Sequence, residues 1–315
     1  MSELLHVLNG DSSKGLFEKT SLKGDVMLWR EMLSEGKSDA IVASDLFWNN
    51  RRSHLQNEMD VSKDEYDKGV VVEFNALKKA TQYDEVILWF EYDLFCQINI
   101  LATLSYLQQL SDYNKVSLVC VGKFPWSERL LGLGELEPNS FQGLFEERKE
   151  LTKEDISYAH NLWKVYSSVD HNSLKELLKN CPSSFEYLPQ AILGHLERFP
   201  QKEHGLNAIE YSVLRQIEKQ SGKVTKNNLI RDFLIGDQVY GVGDWIFEGY
   251  LQKISPLYEV NNDVFKVSSL GNKILEGQES FAAHRQDYYF GGCHIKSFYW
   301  RPDMQNIVPS SDFIE

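Results

Sequence analysis

The sequence predicts an α/β protein with an N-terminal parallel, Rossmann-like sheet, a helical middle and a C-terminal winged-helix-like domain. Three observations predict it. Short apolar runs alternate with helical stretches up to about residue 125, as in a parallel sheet covered on both faces. From about 140 to 200 the apolar residues recur at helical spacing. From Gly205 three amphipathic helices are followed by two short strands. The implied boundaries are 1–138, 139–204, 205–278 and a tail, 279–315, that packs between domains.

In chain order, LLHVL (4–8) reads as a buried strand and SSKGLFEKT as a short helix. DVMLW (25–29) is a second strand, and KDEYDKGVVVEFNALKKATQ reads as helical despite its valines. EVILWF (85–90) is a third strand, a long helix follows Asp93, and VSLVCVG (116–122) is a fourth. Right-handed crossovers would place the four in one parallel layer. Thr152 and Asp155 stand three apart, the spacing of a capping box, before ISYAHNLWKVY. HNSLKELLKN and LPQAILGHLERF read as helices. After Gly205, NAIEYSVLRQIEKQSG, TKNNLIRDFLI and VGDWIFEGYLQKIS are helices, LYEVNNDVFKVS is a hairpin about an Asn-Asn turn, and SLGNKILEG closes the domain.

A chain of 315 residues suits about two domains, and 42% hydrophobic residues suit sizeable cores. A net charge of −13 argues against nucleic-acid binding, which needs cations to replace phosphate counterions. The start, MSELLHVLNGDSSKG, lacks a basic region like that of a signal peptide, and no run reaches the roughly 18 apolar residues of a membrane span. Four cysteines far apart argue against a zinc cluster or disulfide scaffold. A cytoplasmic protein without a membrane partner is expected.

In an open parallel sheet, ligands bind beyond the carboxyl ends of the strands. Three of the predicted strands run into polar residues there. The first gives Asn9, Gly10, Asp11 and Ser12; the second gives Arg30 and Glu31; the third gives Glu91, Asp93 and, one helical turn on, Gln97. The simpler reading makes Asp11, Ser12 and Asp93 helix N-caps. GDSSKG carries two glycines of a phosphate loop but lacks the Lys-Ser/Thr that should follow. GDS also suggests a serine esterase with Ser12 as nucleophile, but no Asp-x-x-His element is present near the C-terminus. Cys96 stands where a helix N-terminus would favour a thiolate, though a packing role is the simpler one. His6 reads as a satisfied core histidine. His294, in GGCHI, is the histidine best placed to reach a cleft, against a simpler reading as a packing turn. In the winged-helix-like unit, Lys223, Lys226 and Arg231 are basic, but the third helix carries Asp244 and Glu248 beside Lys253, which favours a protein partner over DNA.

LHVLNGDS, WREMLSEG, LWFEYDLFCQ, GLGEL and FGGCHI…YWRPD together resemble an uncharacterised bacterial family, domain of unknown function 1835. GLNAIEYSVL, GVGDWIF and SLGNKILEG resemble the segment that accompanies it. The likeness runs over nearly the whole chain and implies no established activity. Asp11, Arg30, Glu91, Asp93, Gln97 and His294 match the family pattern. Tyr92 and Cys96 depart from it, standing where the family often has histidine and aspartate.

These residues suggest an enzyme or ligand-binding protein for a phosphorylated or nucleotide-like small molecule. Asp11, Glu91, Asp93 and His294 are the candidate catalytic groups. Asn9, Gly10, Ser12, Arg30 and Gln97 are the candidate ligand-binding groups, with Arg30 on the anion. Magnesium or manganese held by Asp11, Glu91 and Asp93 would suit hard carboxylate oxygens and metal-assisted hydrolysis or phosphoryl transfer. The rival is a regulator or adaptor whose C-terminal domain contacts a partner.

Overall fold

The structure, a computed structural model, describes residues 3–110, 112–220, 223–236 and 238–310. The N-terminal layer runs β1 (Leu4–Leu8), α1 (Asp11–Phe17), β2 (Asp25–Leu28), β3 (Gly36–Lys37), α2 (Asp45–Met59), β4 (Glu85–Glu91), α3 (Leu94–Leu110) and β5 (Lys115–Val121). β6 (Lys149–Glu150), α4 (Lys153–Tyr166) and α5 (Leu188–Leu196) follow.

Strands β1, β2, β4 and β5 are parallel, and the short β6 adds an antiparallel edge in the order β2-β1-β4-β5-β6. The fold is therefore mixed α/β around a mostly parallel sheet. The chain leaves β1 for β2 on one side, then returns to place β4 on the other. The order thus reverses between β1 and β4, and such a switch point opens a crevice at the carboxyl ends of the strands. Both faces are covered. Leu5, Val7, Val86, Leu88 and Phe90 join one core with helices α2 to α5, while Leu8, Ile87, Trp89 and Val119 join another with Phe17 and Phe141. Burial on both faces explains why the strands read as continuous apolar runs. Helix α3 is buried over most of its circumference, which fits a sequence without Asp, Glu, Lys or Arg.

The stretch 63–82 is helical but broken, with a π-turn at Asp67–Val71 and a 3-10 segment at Leu77–Gln82. Its valines crowd the helical turn. The capping box is present: the Thr152 hydroxyl accepts from the Asp155 amide (3.1 Å), and Asp155 accepts from the Thr152 amide (2.9 Å). His6 is buried, accepts from Trp89 Nε1 at Nδ1 (3.0 Å) and donates from Nε2 to the Lys23 carbonyl (3.2 Å).

The C-terminal half builds its own core from Leu206 to Phe281. It comprises α6 (Ala208–Gln220), β7 (Val224–Thr225), α7 (Lys226–Gly236), α8 (Asp244–Lys253) and the antiparallel pair β8 (Tyr258–Asn261) and β9 (Val264–Val267). β7 pairs with β9 to complete a three-stranded sheet. The hairpin turn is Asn262–Asp263 rather than Asn-Asn. Both residues have positive φ, 51° and 63°, as a tight hairpin turn requires, and Asn and Asp tolerate that region. In the tail, β10 (Tyr289–Gly291) pairs with β3 and with β11 (Cys293–His294). Phe290, Cys293, Phe298 and Trp300 enter the core of the N-terminal half. Among the described residues no helix is long and apolar enough to cross a membrane.

Candidate active site

At the carboxyl ends of β1 and β4, the residues that end those strands come together. Glu91 is the last residue of β4, and Asn9 follows β1. Asn9 Nδ2 donates to Glu91 Oε1 (3.0 Å) and to Cys96 Sγ (3.3 Å). The Ser13 hydroxyl donates to Asn9 Oδ1 (2.8 Å) and fixes the amide. Asp93 caps α3, accepting from the Cys96 amide at Oδ1 (2.8 Å). Gln97 turns back, and its Nε2 donates to the Glu91 carbonyl (2.8 Å). Ligand atoms of Glu91, Asp93 and Cys96 lie within 4.8 Å of one another.

Two glycine-containing segments cover these groups. One follows β5: the Leu133 amide donates to Glu91 Oε1 (2.9 Å), and a methyl group on Gly132 would lie 2.5 Å from Glu91 Oε2. The other comes from the C-terminal half. Gly241 has φ +62° and presses on the Asp93 carboxylate, so a methyl group there would collide with it.

Burial therefore dominates the electrostatics. It pushes the Glu91 carboxyl up, against the Asn9 and Leu133 donors, and Glu135 adds to the rise. Burial, then the charge of Glu91, pushes Asp93 up to about 7. Burial and the two acids push the Cys96 thiol up as well. Among the described residues, no lysine or arginine is ion-paired with either carboxylate. Each acid therefore resists ionisation more than an ordinary carboxylate does.

The other sequence candidates lie apart from this group. Asp11 and Arg30 pair with each other, Nε to Oδ2 at 2.7 Å and Nη2 to Oδ1 at 2.8 Å, and the arginine holds Asp11 below the usual carboxylate range. Arg30 also donates to the Gly69 carbonyl (2.8 Å). Neither Asp11 nor Ser12 caps α1; the cap position is Gly10, whose φ of +153° suits glycine. Ser12 lies against Gly134. Glu31 is buried with Arg51 (2.9 Å). His294 contacts Asp287 (3.5 Å), the Lys296 amide (3.2 Å) and the Tyr289 ring, all within the tail. The strand pairing of β10 and β11 holds it there, and Gly291 and Gly292 allow close approach to the backbone of residues 166–168.

The metal set Asp11, Glu91 and Asp93 is thus not assembled, because Arg30 takes Asp11. The set that does assemble has a thiol in place of the third carboxylate. Two oxygens and one sulfur suit zinc better than magnesium or manganese, which prefer oxygen shells. Cys96 joins the cluster because it is three residues past Asp93, on the first turn of the same helix. The Gly132 and Gly241 covers carry no sequence signal that ties them to these acids. No protein-family model matches the chain, and no curated protein matches it in sequence.

Proposed function

We propose that the protein is an enzyme or ligand-binding protein for a small polar molecule, of phosphorylated or nucleotide-like chemistry, acting at the β1–β4 crevice. The observation that carries this reading is the pair of the partly buried Glu91 and the buried Asp93, which among the described residues has no ion-paired cation and sits at the switch point of the sheet. Such a pair opposes folding, so its presence is best accounted for by a reaction or a ligand. Asp93, with its proton held to near neutral pH, suits general acid–base chemistry. Asn9 and Gln97 would orient the ligand or the acids. Arg30, partly exposed at the end of β2, would take an anionic group in exchange for Asp11. Glu91, Asp93 and Cys96 would hold a metal of borderline character if the chemistry requires one.

The segments that build this site include LNGDS, WFEYDLFCQ and GLGEL, motifs that carry the likeness to domain of unknown function 1835. We read the chain as a relative of that family on those motifs. The three helices and three-stranded sheet of residues 205–278 support a winged-helix-like reading, and Gly241 on Asp93 favours a second function, a regulator that senses ligand state. The Lys226–Glu248 ion pair (2.5 Å) occupies a cation of that unit, which favours protein over DNA as partner.

A thermal-shift screen of nucleoside phosphates and sugar phosphates, with and without zinc, manganese or magnesium, tests the proposal. The expected result is a ligand that raises Tm of the wild type and not of Glu91→Gln. The reading is overturned if nothing shifts the wild type and Glu91→Gln lowers Tm by several degrees.

A further inference from the structure

The proposed function leaves open how a ligand reaches two carboxylates that are covered from both sides. The two covers are built differently. The segment at Gly132–Leu133 is tied to the site: Leu133 is fully buried in the core under the sheet, and its amide is hydrogen-bonded to Glu91. Moving it would break that bond and empty a core position. The Gly241 cover rests on Asp93 and Phe95 by contact, and no hydrogen bond joins Gly241 to either acid.

Gly241 stands between Tyr240 and Val242, both buried in the C-terminal core. It is therefore carried by that core and not by the sheet. The neighbourhood meets the N-terminal half mainly at α5 and at the start of α3. The Tyr240 hydroxyl donates to Glu197, the residue after α5 (3.0 Å), and Val239 packs on Gly194 of that helix. Lys253 reaches Glu58 at 3.6 Å. Met32, Met59 and Phe95 touch both cores. Between the end of α2 and α8 lies a cleft of about 670 Å³ lined by Asn57, Asp60, Trp245 and Glu248, so the two bodies are not packed face to face there.

We infer that residues 239–243 are the gate of the Glu91–Asp93 site, lifted from Asp93 by a movement of the C-terminal core against the sheet while both cores remain packed. Relative motion of units joined by a limited interface is the general expectation. The inference takes from the proposed function only the location of the site. The C-terminal half then changes position with the state of the site, which gives a ligand at β1 and β4 a physical route to a partner on that half.

Cys96 provides the readout, since it is buried and its thiol belongs to the cluster with Glu91 and Asp93. Its labelling by N-ethylmaleimide, resolved by mass spectrometry, reports opening. Cys293, buried in the tail, reports whether the whole fold has loosened. Gly241→Ala places a methyl group against Asp93 and strains a positive φ, so it should raise the Cys96 rate about tenfold or more with Cys293 still protected. Gly243→Ala is the control: φ is −79° and a methyl group there meets nothing within 4 Å, so the rate should stay within about twofold. Tyr240→Phe removes the tie to Glu197 and should raise the rate severalfold. An unchanged Cys96 rate in Gly241→Ala with Cys293 protected overturns the gate, as does opening by Gly132→Ala alone. If Gly241→Ala exposes Cys293 as well, Tyr240→Phe decides: a selective rise at Cys96 supports the gate and no rise overturns it. No ligand enters this experiment, so its outcome is independent of the screen above.

Discussion

Two sets of wholly or partly buried acids in this protein are treated in opposite ways. Glu31, Glu35, Glu85 and Glu210 each meet an arginine: Arg51 at 2.9 Å, Arg198, Arg148 at 2.8 Å and Arg285 at 2.6 Å. These pairs also satisfy backbone groups. Arg51 donates to the Met32 carbonyl (3.0 Å) and the Glu35 carbonyl (2.6 Å), and Arg198 donates to the Ser34 carbonyl (2.8 Å). They clamp loops to helices, and Glu210–Arg285 fastens the tail to the C-terminal half. Glu91 and Asp93 receive no arginine. Neutral donors, each other and, for Glu91, the further acid Glu135 act on them. Charge that is neutralised locally serves structure, whereas buried charge left without a counter-ion is stored where a ligand or a proton can use it.

The sharpest way to test the contrast is to break one of the clamped pairs. Glu210→Ala leaves Arg285 buried without its carboxylate and should cost about 3–5 kcal/mol in urea unfolding. A loss below about 1 kcal/mol, the range of exposed pairs, would erase the distinction. The opposite sign is expected at the site. Glu91→Gln keeps acceptors for Asn9 and the Leu133 amide but removes a buried charge, so at pH 8 it should raise stability by about 1–3 kcal/mol. A decrease of that size would place Glu91 with the clamped acids. The smallest effect belongs to the surface. Asp11→Asn loosens a pair whose carboxylate is 68% exposed, and stability should change by about 0–1 kcal/mol. A larger loss would mean that Asp11 helps to hold the site.

Much of the fold was legible in the sequence, and the site only partly. The parallel strands could be read because burial on both faces leaves unbroken apolar runs, and all four lie within a residue of the expected ends. Asn9, Glu91, Asp93 and Gln97 could be placed because the strand ends converge at one edge. Side-chain partners could not. Arg30 was open to a ligand or to Asp11, and only the positions of the loops after β1 and β2 decide for Asp11. Position alone does not show whether Asp93 is a cap or a site acid; it is a cap whose carboxyl is also buried beside Glu91. The tail posed a different difficulty. His294 could be aimed at a cleft only by knowing where two-residue strands would pair, and so short a pairing leaves almost no pattern. Gly241 reaches Asp93 from the other half of the chain, a contact that no local period encodes.

The central claim, that burial makes Glu91 and Asp93 resist ionisation, has a direct measurement: unfolding free energy of the wild type and Asp93→Asn from pH 4 to pH 8. Asparagine caps a helix as well as aspartate, so the variant isolates the charge. Asp93 is raised from an ordinary 3.8 to about 7 in the folded protein. Below about pH 4 both states hold the proton, and the two proteins should be nearly equal in stability. Between about 4 and 7 the folded state keeps a proton that the unfolded state has lost, so wild-type stability falls as pH rises. Above that window the penalty is complete, and the variant should be the more stable by on the order of a few kcal/mol. Parallel pH profiles for the two proteins, or a wild type that gains on the variant as pH rises, would contradict the account.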